Sequence, residues 1–360
     1  MSIPSLYALP PGRFETATIL KRLNAASRNL AELKGVAATI PNQTILINTL
    51  TLQEARDSSA IENIVTMQDD LYREDDPATA SGTAIKEVLR YRQALQTGFA
   101  RVRDTGLLTL NTVLDIQQQL ECNRAGMRKL PGTALRDGAG RIVYEPPQDA
   151  NEVRRLMEDL ERFIHDDPPF AADPLIKMAL IHHQFESIHP FYDGNGRSGR
   201  ILNVLYLVKE GLLDIPVLYL SRHIVRTKSD YYRLLQAVRE EDAWDEWVLY
   251  MLDAVASTAE ETVVTIKAIK ALLQDTKQRV RANYRFYSQD LVNNLFNHPY
   301  TRVEFAQREL GVSRLTATKY LDTLATDGVL EKVRVGRNNY YINRPLFDLL
   351  SGTSADETQG

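Results

Sequence analysis

The chain has 360 residues, 44% of them apolar and 25% charged, with a formal net charge of −4 and a mean hydropathy of −0.30. That length exceeds what one hydrophobic core organises, so two or three packed units are expected. The charge excludes a globally basic nucleic-acid coat but not a local basic surface, and Cys122, the sole cysteine, excludes an intrachain disulfide and a thiolate metal cage. No basic segment followed by a long apolar core opens the chain, and no later apolar run reaches membrane-spanning length. A cytoplasmic protein with no membrane partner is the expectation.

Helical spacing dominates from the start. Ile19, Leu23, Leu30, Leu33, Leu46 and Leu50 recur at helix-compatible intervals, broken at Pro10-Pro11 and Pro41-Asn42. Thr51-Leu52-Gln53-Glu54 has the form of a capping box and predicts a helix running to Ile64. Within it Ser58 and Glu62 share a face, which alone describes an ordinary helix with an outward Glu. The stretch Arg73 to Gly82 reads as a loop, Ile85, Val88, Leu89 and Arg92 resume the helical pattern, and another helix is predicted over Asn111 to Gln119.

Pro131 to Gln148 differs in character. Gly138-Ala139-Gly140 turns into the β-prone Arg141-Ile142-Val143-Tyr144, closed by Pro146-Pro147, which predicts a small hairpin or extended flap. Val153, Leu156, Met157, Leu160 and Phe163 then mark an amphipathic helix. Asp173 and Pro174 suit the N-cap and first position of the next helix, which is apolar nearly all round and expected to be central. His182, His183 and His189 do not read as a metal cluster, because no His-Glu-x-x-His pattern is present, and His183 on this helix reads as a hydrogen-bonded core residue. A second apolar helix is predicted from Ile201 to Lys209, stopping at Gly211.

Between these helices runs His189-Pro190-Phe191-Tyr192-Asp193-Gly194-Asn195-Gly196-Arg197-Ser198-Gly199-Arg200. Backbone N–H groups at Gly194 to Gly196, ahead of a helix, form an anion site that suits phosphate. Arg197 and Arg200 can point the same way and fork onto phosphate oxygens. Asp193 suits Mg²⁺, which takes a carboxylate together with phosphate oxygens and water. His189, with an ordinary pKa of about 6.5, is the group here best suited to take a hydroxyl proton at neutral pH.

Downstream, Tyr231, Tyr232 and Leu235 lie close enough on one helix to offer a nucleobase a ring and an apolar floor, or to be plain core. A long charged helix beyond Leu252, ending near Arg281, reads as a connector. Thr301 to Leu310, the turn Gly311-Val312-Ser313 and Arg314 to Ala325 then form a helix-turn-helix pattern. Val329 to Val333 and Tyr340 to Ile342 add two strands around Gly336-Arg337-Asn338-Asn339, and a polar tail follows. This unit resembles winged-helix domains, whose Arg314, Thr316, Thr318 and Lys319 would face a DNA groove while Arg334 and Arg337 touch phosphates. From Arg281 to Leu350 it has ten Lys or Arg against seven Asp or Glu, so DNA and protein partners stay equally open.

The loop from His189 to Arg200 resembles the signature of the Fic family, His-Pro-Phe-x-Asp/Glu-Gly-Asn-Gly-Arg-x-x-Arg, with every fixed position filled. The resemblance implies Mg²⁺-dependent transfer of AMP from ATP to a Ser, Thr or Tyr hydroxyl of a protein, this chain included. It implies His189 as base, Asp193 as Mg²⁺ ligand, and Gly194, Asn195, Gly196, Arg197, Ser198, Gly199 and Arg200 around the phosphates. Doc-type relatives, which phosphorylate, carry Ala and Lys where this chain has Gly194 and Gly196. Beside that signature, Ser58, Glu62 and Asn63 resemble the family's inhibitory motif, which implies that Glu62 pairs with Arg200 in the place of the γ-phosphate. Arg141, Ile142, Val143 and Tyr144 resemble the flap that pairs with the target's backbone, and Tyr231, Tyr232 and Leu235 resemble the segment packed on the nucleobase. Arg239 departs from the Asn of some relatives, which leaves the donor base open.

The expected fold is mainly α, a Fic helical core with a β-hairpin flap and a C-terminal winged helix. Its divisions are a helical region over 1–110 with the inhibitory helix at about 51–64, a catalytic core over 111–253, a connector over 254–284, a winged helix over 285–350 and a tail over 351–360. A homodimer fits this reading. The rivals are a nucleotide-sensing DNA-binding regulator and a transferase using another donor.

Overall fold

The computed structural model describes residues 3–74, 77–78, 80–336 and 338–352. Helix α1 (Ala17–Ala37) opens on Thr16, whose hydroxyl accepts the Ile19 N–H. Helix α2 (Thr44–Ile61) starts earlier than its capping-box pattern predicts. The Asn42 side chain accepts the Thr44 N–H just before it, and Thr51, deep inside, donates its hydroxyl to the Ile47 carbonyl. The helix also ends sooner, with Glu62 as C-cap and Asn63 left-handed at φ 63°. Helix α3 (Gln68–Arg73) precedes the predicted loop, of which positions 75, 76 and 79 lie outside the described residues. Helices α4 (Thr83–Thr105) and α5 (Leu110–Glu121) follow.

Strands β1 (Leu135–Arg136) and β2 (Ile142–Tyr144) pair antiparallel as the small hairpin. Helix α6 (Ala150–Ile164) is capped by Asp149. Helix α7 (Pro174–Ile188) has Asp173 at its N-cap, accepting the Leu175 N–H at 2.8 Å, and Pro174 in its first turn. Every residue from Leu175 to Ile188 is buried, so α7 is the central rod its composition predicts. Helix α8 (Asn195–Lys209) begins before Ile201 and takes in the end of the signature loop. Helices α9 (Leu220–Arg226) and α10 (Lys228–Glu241) pack nearby.

Helix α11 (Trp244–Asn283) is longer and more buried than a connector. Ala254, Val255, Ala259, Ile266 and Ile269 are buried along it, and the Asn29 side chain of α1 donates to its Ala256 carbonyl at 3.0 Å. The charges that suggest a solvated rod occupy only its outer face, as Lys267 pairing with Glu32 illustrates. At its start the Trp247 indole N–H donates to the Ala179 carbonyl at 2.8 Å, fixing α11 on α7.

The C-terminal unit consists of α12 (Gln289–Asn297), β3 (Tyr300–Thr301), α13 (Val303–Leu310), α14 (Arg314–Thr326), β4 (Glu331–Val335), β5 (Asn338–Ile342) and α15 (Arg344–Ser351). Its sheet has three strands in the order β3-β5-β4, one more than the predicted pair, because Tyr300 and Thr301 join the inner edge of β5. Arg337 and the polar tail beyond Gly352 lie outside the described residues. The unit docks on α2 and α3. Gln53 donates to the Leu350 carbonyl at 2.6 Å, and Tyr72 stacks on Tyr300 at 6.3 Å and meets Phe347 edge-on at 5.8 Å. Among the described residues no helix is long and apolar enough to cross a membrane.

Candidate active site

The site forms where α7 hands over to α8. His189 caps α7 in the left-handed region, at φ 49° and ψ 59°, and its N–H closes the helix on the Phe185 carbonyl at 2.9 Å. Asn195 then clamps the corner, accepting the Phe191 N–H at 2.8 Å and donating to the Phe191 carbonyl at 2.9 Å. Gly194 precedes α8 at φ +78°, a backbone conformation that favours glycine, and a β-carbon on it would lie 2.5 Å from Glu121 Oε1, so that side chain would have to shift. Within α8 the Ser198 N–H bonds to the Gly194 carbonyl. The N–H groups of Asn195, Gly196 and Arg197 precede any intrahelical acceptor and face outward as an anion cradle.

A carboxylate of the chain lies beside it, against Gly196 and Arg200. A β-carbon on Gly196 would lie 2.5 Å from Glu62 Oε1 and 2.9 Å from Arg200 Nη1. Arg200, a buried guanidinium, donates to Ser58 Oγ at 2.7 Å, to the Ser58 carbonyl at 3.1 Å and to Glu62 Oε1 at 2.8 Å. The Glu62 side chain is 36% exposed against 1% for Arg200. Burial pushes the Glu62 carboxyl up, but the charge and hydrogen bond of Arg200 outweigh it and hold the group below the ordinary carboxylate value. Asn63 takes the left-handed turn that ends the helix and accepts from Lys228 at 3.0 Å, a conformation Asn tolerates better than most residues.

His189 is held from the other side by the segment that leads into the flap. Arg128 Nε donates to the His189 carbonyl at 2.8 Å and Nη2 to the Ile188 carbonyl at 3.2 Å. The Arg128 N–H bonds to the Pro190 carbonyl at 2.8 Å, and the Tyr192 hydroxyl accepts the N–H groups of Lys129 and Leu130 at 2.9 and 3.1 Å. A left-handed non-glycine residue costs about 1–2 kcal/mol, and charge-assisted hydrogen bonds of about 1.5–3 kcal/mol each are enough to hold it. Burial first, then the Arg128 cation, push the His189 imidazole down to about 4, so it is neutral and able to accept a proton at pH 7.

The hairpin is anchored beside this corner. Tyr144 donates its hydroxyl to the Ser187 carbonyl at 2.9 Å, Arg239 lies over the Tyr144 ring at 3.9 Å and donates to Ser187 Oγ, and Gln236 donates to the Val143 carbonyl at 3.0 Å. Ile142 and Val143 remain exposed on the strand, while Arg141 precedes it and pairs with Asp137.

Several residues expected around a nucleotide have side chains packed or bonded within the protein. Arg197 does not point with Arg200: it turns to Glu87 of α4 at 3.1 Å and Glu121 of α5 at 2.8 Å, because three positions along a helix still leave neighbouring side chains free to diverge. Ser198 is buried, and Gly199 packs so tightly on α7 that a β-carbon would lie 2.6 Å from Glu186 Oε1. Tyr231 is core, its hydroxyl bonded to His182 Nε2 at 2.9 Å and its ring beside Trp247, and Leu235 is buried too. Tyr232, 47% exposed, is the one ring of that segment presented outward. Asp193 is exposed, with one oxygen accepting the Gly194 N–H at 2.7 Å. Its other oxygen suits a cation that asks for a single carboxylate, and among the described residues no cluster of three metal-binding side chains exists.

Sequence reasoning missed Arg128 and Glu186. Glu186 lies on α7 against Gly199, and burial, partly offset by Arg200, pushes its carboxyl up to about 7. A three-residue offset from His189 is a signal that was present for Glu186. Arg128, distant in sequence, offers none.

Three family models match in succession: the N-terminal model of the Fic/DOC family over residues 20–100, the Fic/DOC family over 107–207, and the C-terminal domain of SoFic-like protein adenylyltransferases over 272–346. The chain is 31% identical over 115 residues to protein adenylyltransferase fic-1 of Caenorhabditis elegans, covering 30% of this chain and 22% of that protein. It is 26% identical over 141 residues to protein adenylyltransferase Fic of Aedes aegypti, covering 39% and 26%. The match thus spans about a quarter of these curated relatives. Among solved structures, a Fic family protein from Desulfovibrio desulfuricans superposes with a TM-score of 0.59 at 22% identity, covering 93% of this chain and 98% of that one. Fic-1 of C. elegans superposes with a TM-score of 0.52 at 18% identity, covering 68% and 71%. Three successive models, an unbroken signature loop and a shared fold lead to one conclusion: the chain belongs to the Fic/DOC family.

Proposed function

We propose that the protein is a protein adenylyltransferase that moves AMP from ATP to a hydroxyl of a protein, itself included, and that Glu62 holds it in check. The observation that carries this reading is the Glu62 carboxylate lying against Gly196 and bonded to Arg200, beside the helix start that follows the His189 corner. A carboxylate held by a buried arginine beside a helix start supports a site made for phosphate. In the reaction the acceptor oxygen attacks the α-phosphorus of ATP, its proton passes to the neutral His189 ring, a new O–P bond forms and the bond to the departing pyrophosphate breaks. Asp193 would hold Mg²⁺, which supplies charge neutralisation for the phosphates and the leaving group. The cradle at Asn195 to Arg197 binds phosphate oxygens, and Arg200, once released, takes the γ-phosphate.

Exposed Tyr232 supports a one-sided contact with the base rather than a closed adenine slot. Exposed Ile142 and Val143, with Tyr144 anchored behind them, support a flap that pairs with the target's backbone. For the C-terminal unit, pairing of Arg314 with Glu304, Lys332 with Asp322 and Arg344 with Glu331 favours a protein-contacting role over reading DNA.

The test uses ATP labelled at either the α- or the γ-phosphate with the Glu62→Gly variant. Protein-bound label from the α position alone is expected. Label from the γ position would replace the reading with phosphorylation, and specific DNA binding without label from either would favour the regulator.

A further inference from the structure

We propose that Arg128 is a positioning residue for acceptor activation, fixing His189 in its left-handed conformation through the carbonyls that end α7. The inference rests on the reading of His189 as the base. Arg128 is 2% exposed, and among the described residues no carboxylate pairs with it. Its side-chain hydrogen bonds go to the carbonyls of Ile188 and His189. A buried arginine without a counter-ion is costly, and here its compensation is the negative end of α7, where the last carbonyls lack helical partners. The fork therefore grips the peptide planes on both sides of the His189 Cα. That grip sets the direction of the imidazole.

The rest of the segment reinforces the hold. The Arg128 N–H reaches the Pro190 carbonyl, and the next two N–H groups take the Tyr192 hydroxyl, so residues 128–130 run as a strap under the corner. The strap belongs to the loop that continues into β1, while Tyr144 of β2 bonds to the Ser187 carbonyl one residue earlier on α7. Target-docking strand and base are thus fixed to the same helix end.

Arg128 also acts through its charge. The groups facing His189 are Arg128 from the strap, Arg239 from α10, Glu62 from the end of α2 and the Glu186 backbone of its own helix. The two arginines disfavour the imidazolium and Glu62 favours it, so removing Arg128 raises the proton affinity of the ring. The acidic limb of the rate then moves to higher pH, because the base is lost to protonation sooner.

The experiment places Arg128→Met and Arg128→Lys in the Glu62→Gly background and measures two things. One is the titration of the His189 imidazole by ¹⁵N NMR in the nucleotide-free protein; the other is the pH profile of AMP transfer, with kcat and KM for ATP separated. Arg128→Met should raise the His189 midpoint by about one unit or more and lower kcat about tenfold or more, with KM for ATP little changed; Arg128→Lys, keeping the charge but not the fork, should restore the titration and only part of kcat. A folded Arg128→Met with unaltered titration and kcat overturns the proposal. So does loss of folding in Arg128→Met combined with Arg128→Lys in which kcat and the His189 midpoint match the parent. A titration shifted by Arg128→Met, where the parent transfers nothing from ATP, supports the hold on His189 while sinking the adenylyltransferase reading.

Discussion

The two ends of the His189–Arg200 loop are held by contacts of opposite kind. At the His189 end the partners are the Arg128 guanidinium and backbone N–H groups of its strap, donating to the carbonyls of residues 188–190 and to the Tyr192 hydroxyl, with no ion pair among the described residues to exchange. At the Arg200 end the partner is a carboxylate at the C-terminal end of α2, 36% exposed and lying beside the start of α8. The difference teaches where control resides. Under the proposed function the proton-accepting group is built in advance, whereas the phosphate-binding group is occupied by a mimic that ATP would replace charge for charge.

Changes at the fixed end should abolish function, and changes at the exchangeable end should release it. The largest effect is expected from His189→Ala in the Glu62→Gly background: about a thousandfold loss of AMP transfer, with ATP affinity by calorimetry kept within a few-fold. A comparable loss of ATP binding would break the distinction between the ends. Ser58→Ala, which removes one of three contacts to Arg200 but leaves Glu62, should raise transfer only about three- to tenfold, as expected for one hydrogen bond to a charged group. Tyr72→Ala, at the contact of α3 with Tyr300 and Phe347, should raise transfer less still, through a looser α2; a rise beyond that of Ser58→Ala would move the seat of control into the C-terminal unit.

The smallest expected effect is that of pH on the brake. Glu62 titrates below its ordinary value in the folded chain, so the pair's contribution is present above that ordinary value and is lost only as pH falls through the lower folded one. The ratio of Glu62→Gly to parent rates should therefore stay flat from about pH 5.5 to 8. A ratio that collapses near pH 6 would mean a titrating group other than Glu62 sets the brake.

The legibility of the molecule follows the same division. Contiguous geometry was readable: the Asp173-Pro174 start of α7, the turn at Gly194 that opens α8, and the spacing that brings Ser58 and Glu62 together on Arg200, since each depends on neighbours in the chain. Contacts made through space were not. Arg197 carries the same side chain as Arg200 yet turns to Glu87 and Glu121, a choice made by α4 and α5. Tyr231 and Tyr232 are adjacent, and helix rotation alone sends one into the core and the other to the surface. The capping-box pattern at Thr51 lost to a helix already running from Thr44, and the charged face of α11 concealed a buried one against α1. The winged-helix comparison captured the helix pair and the hairpin but not β3, whose two residues are too short to signal a strand.

The claim that Arg200 is contested between Glu62 and phosphate is tested most directly by the rate of AMP transfer from α-labelled ATP, measured side by side for the parent chain and Glu62→Gly. Breaking a charged hydrogen-bonded pair worth about 1.5–3 kcal/mol should raise the rate about ten- to a hundredfold. Equal rates, with both proteins folded and binding ATP, would contradict the account.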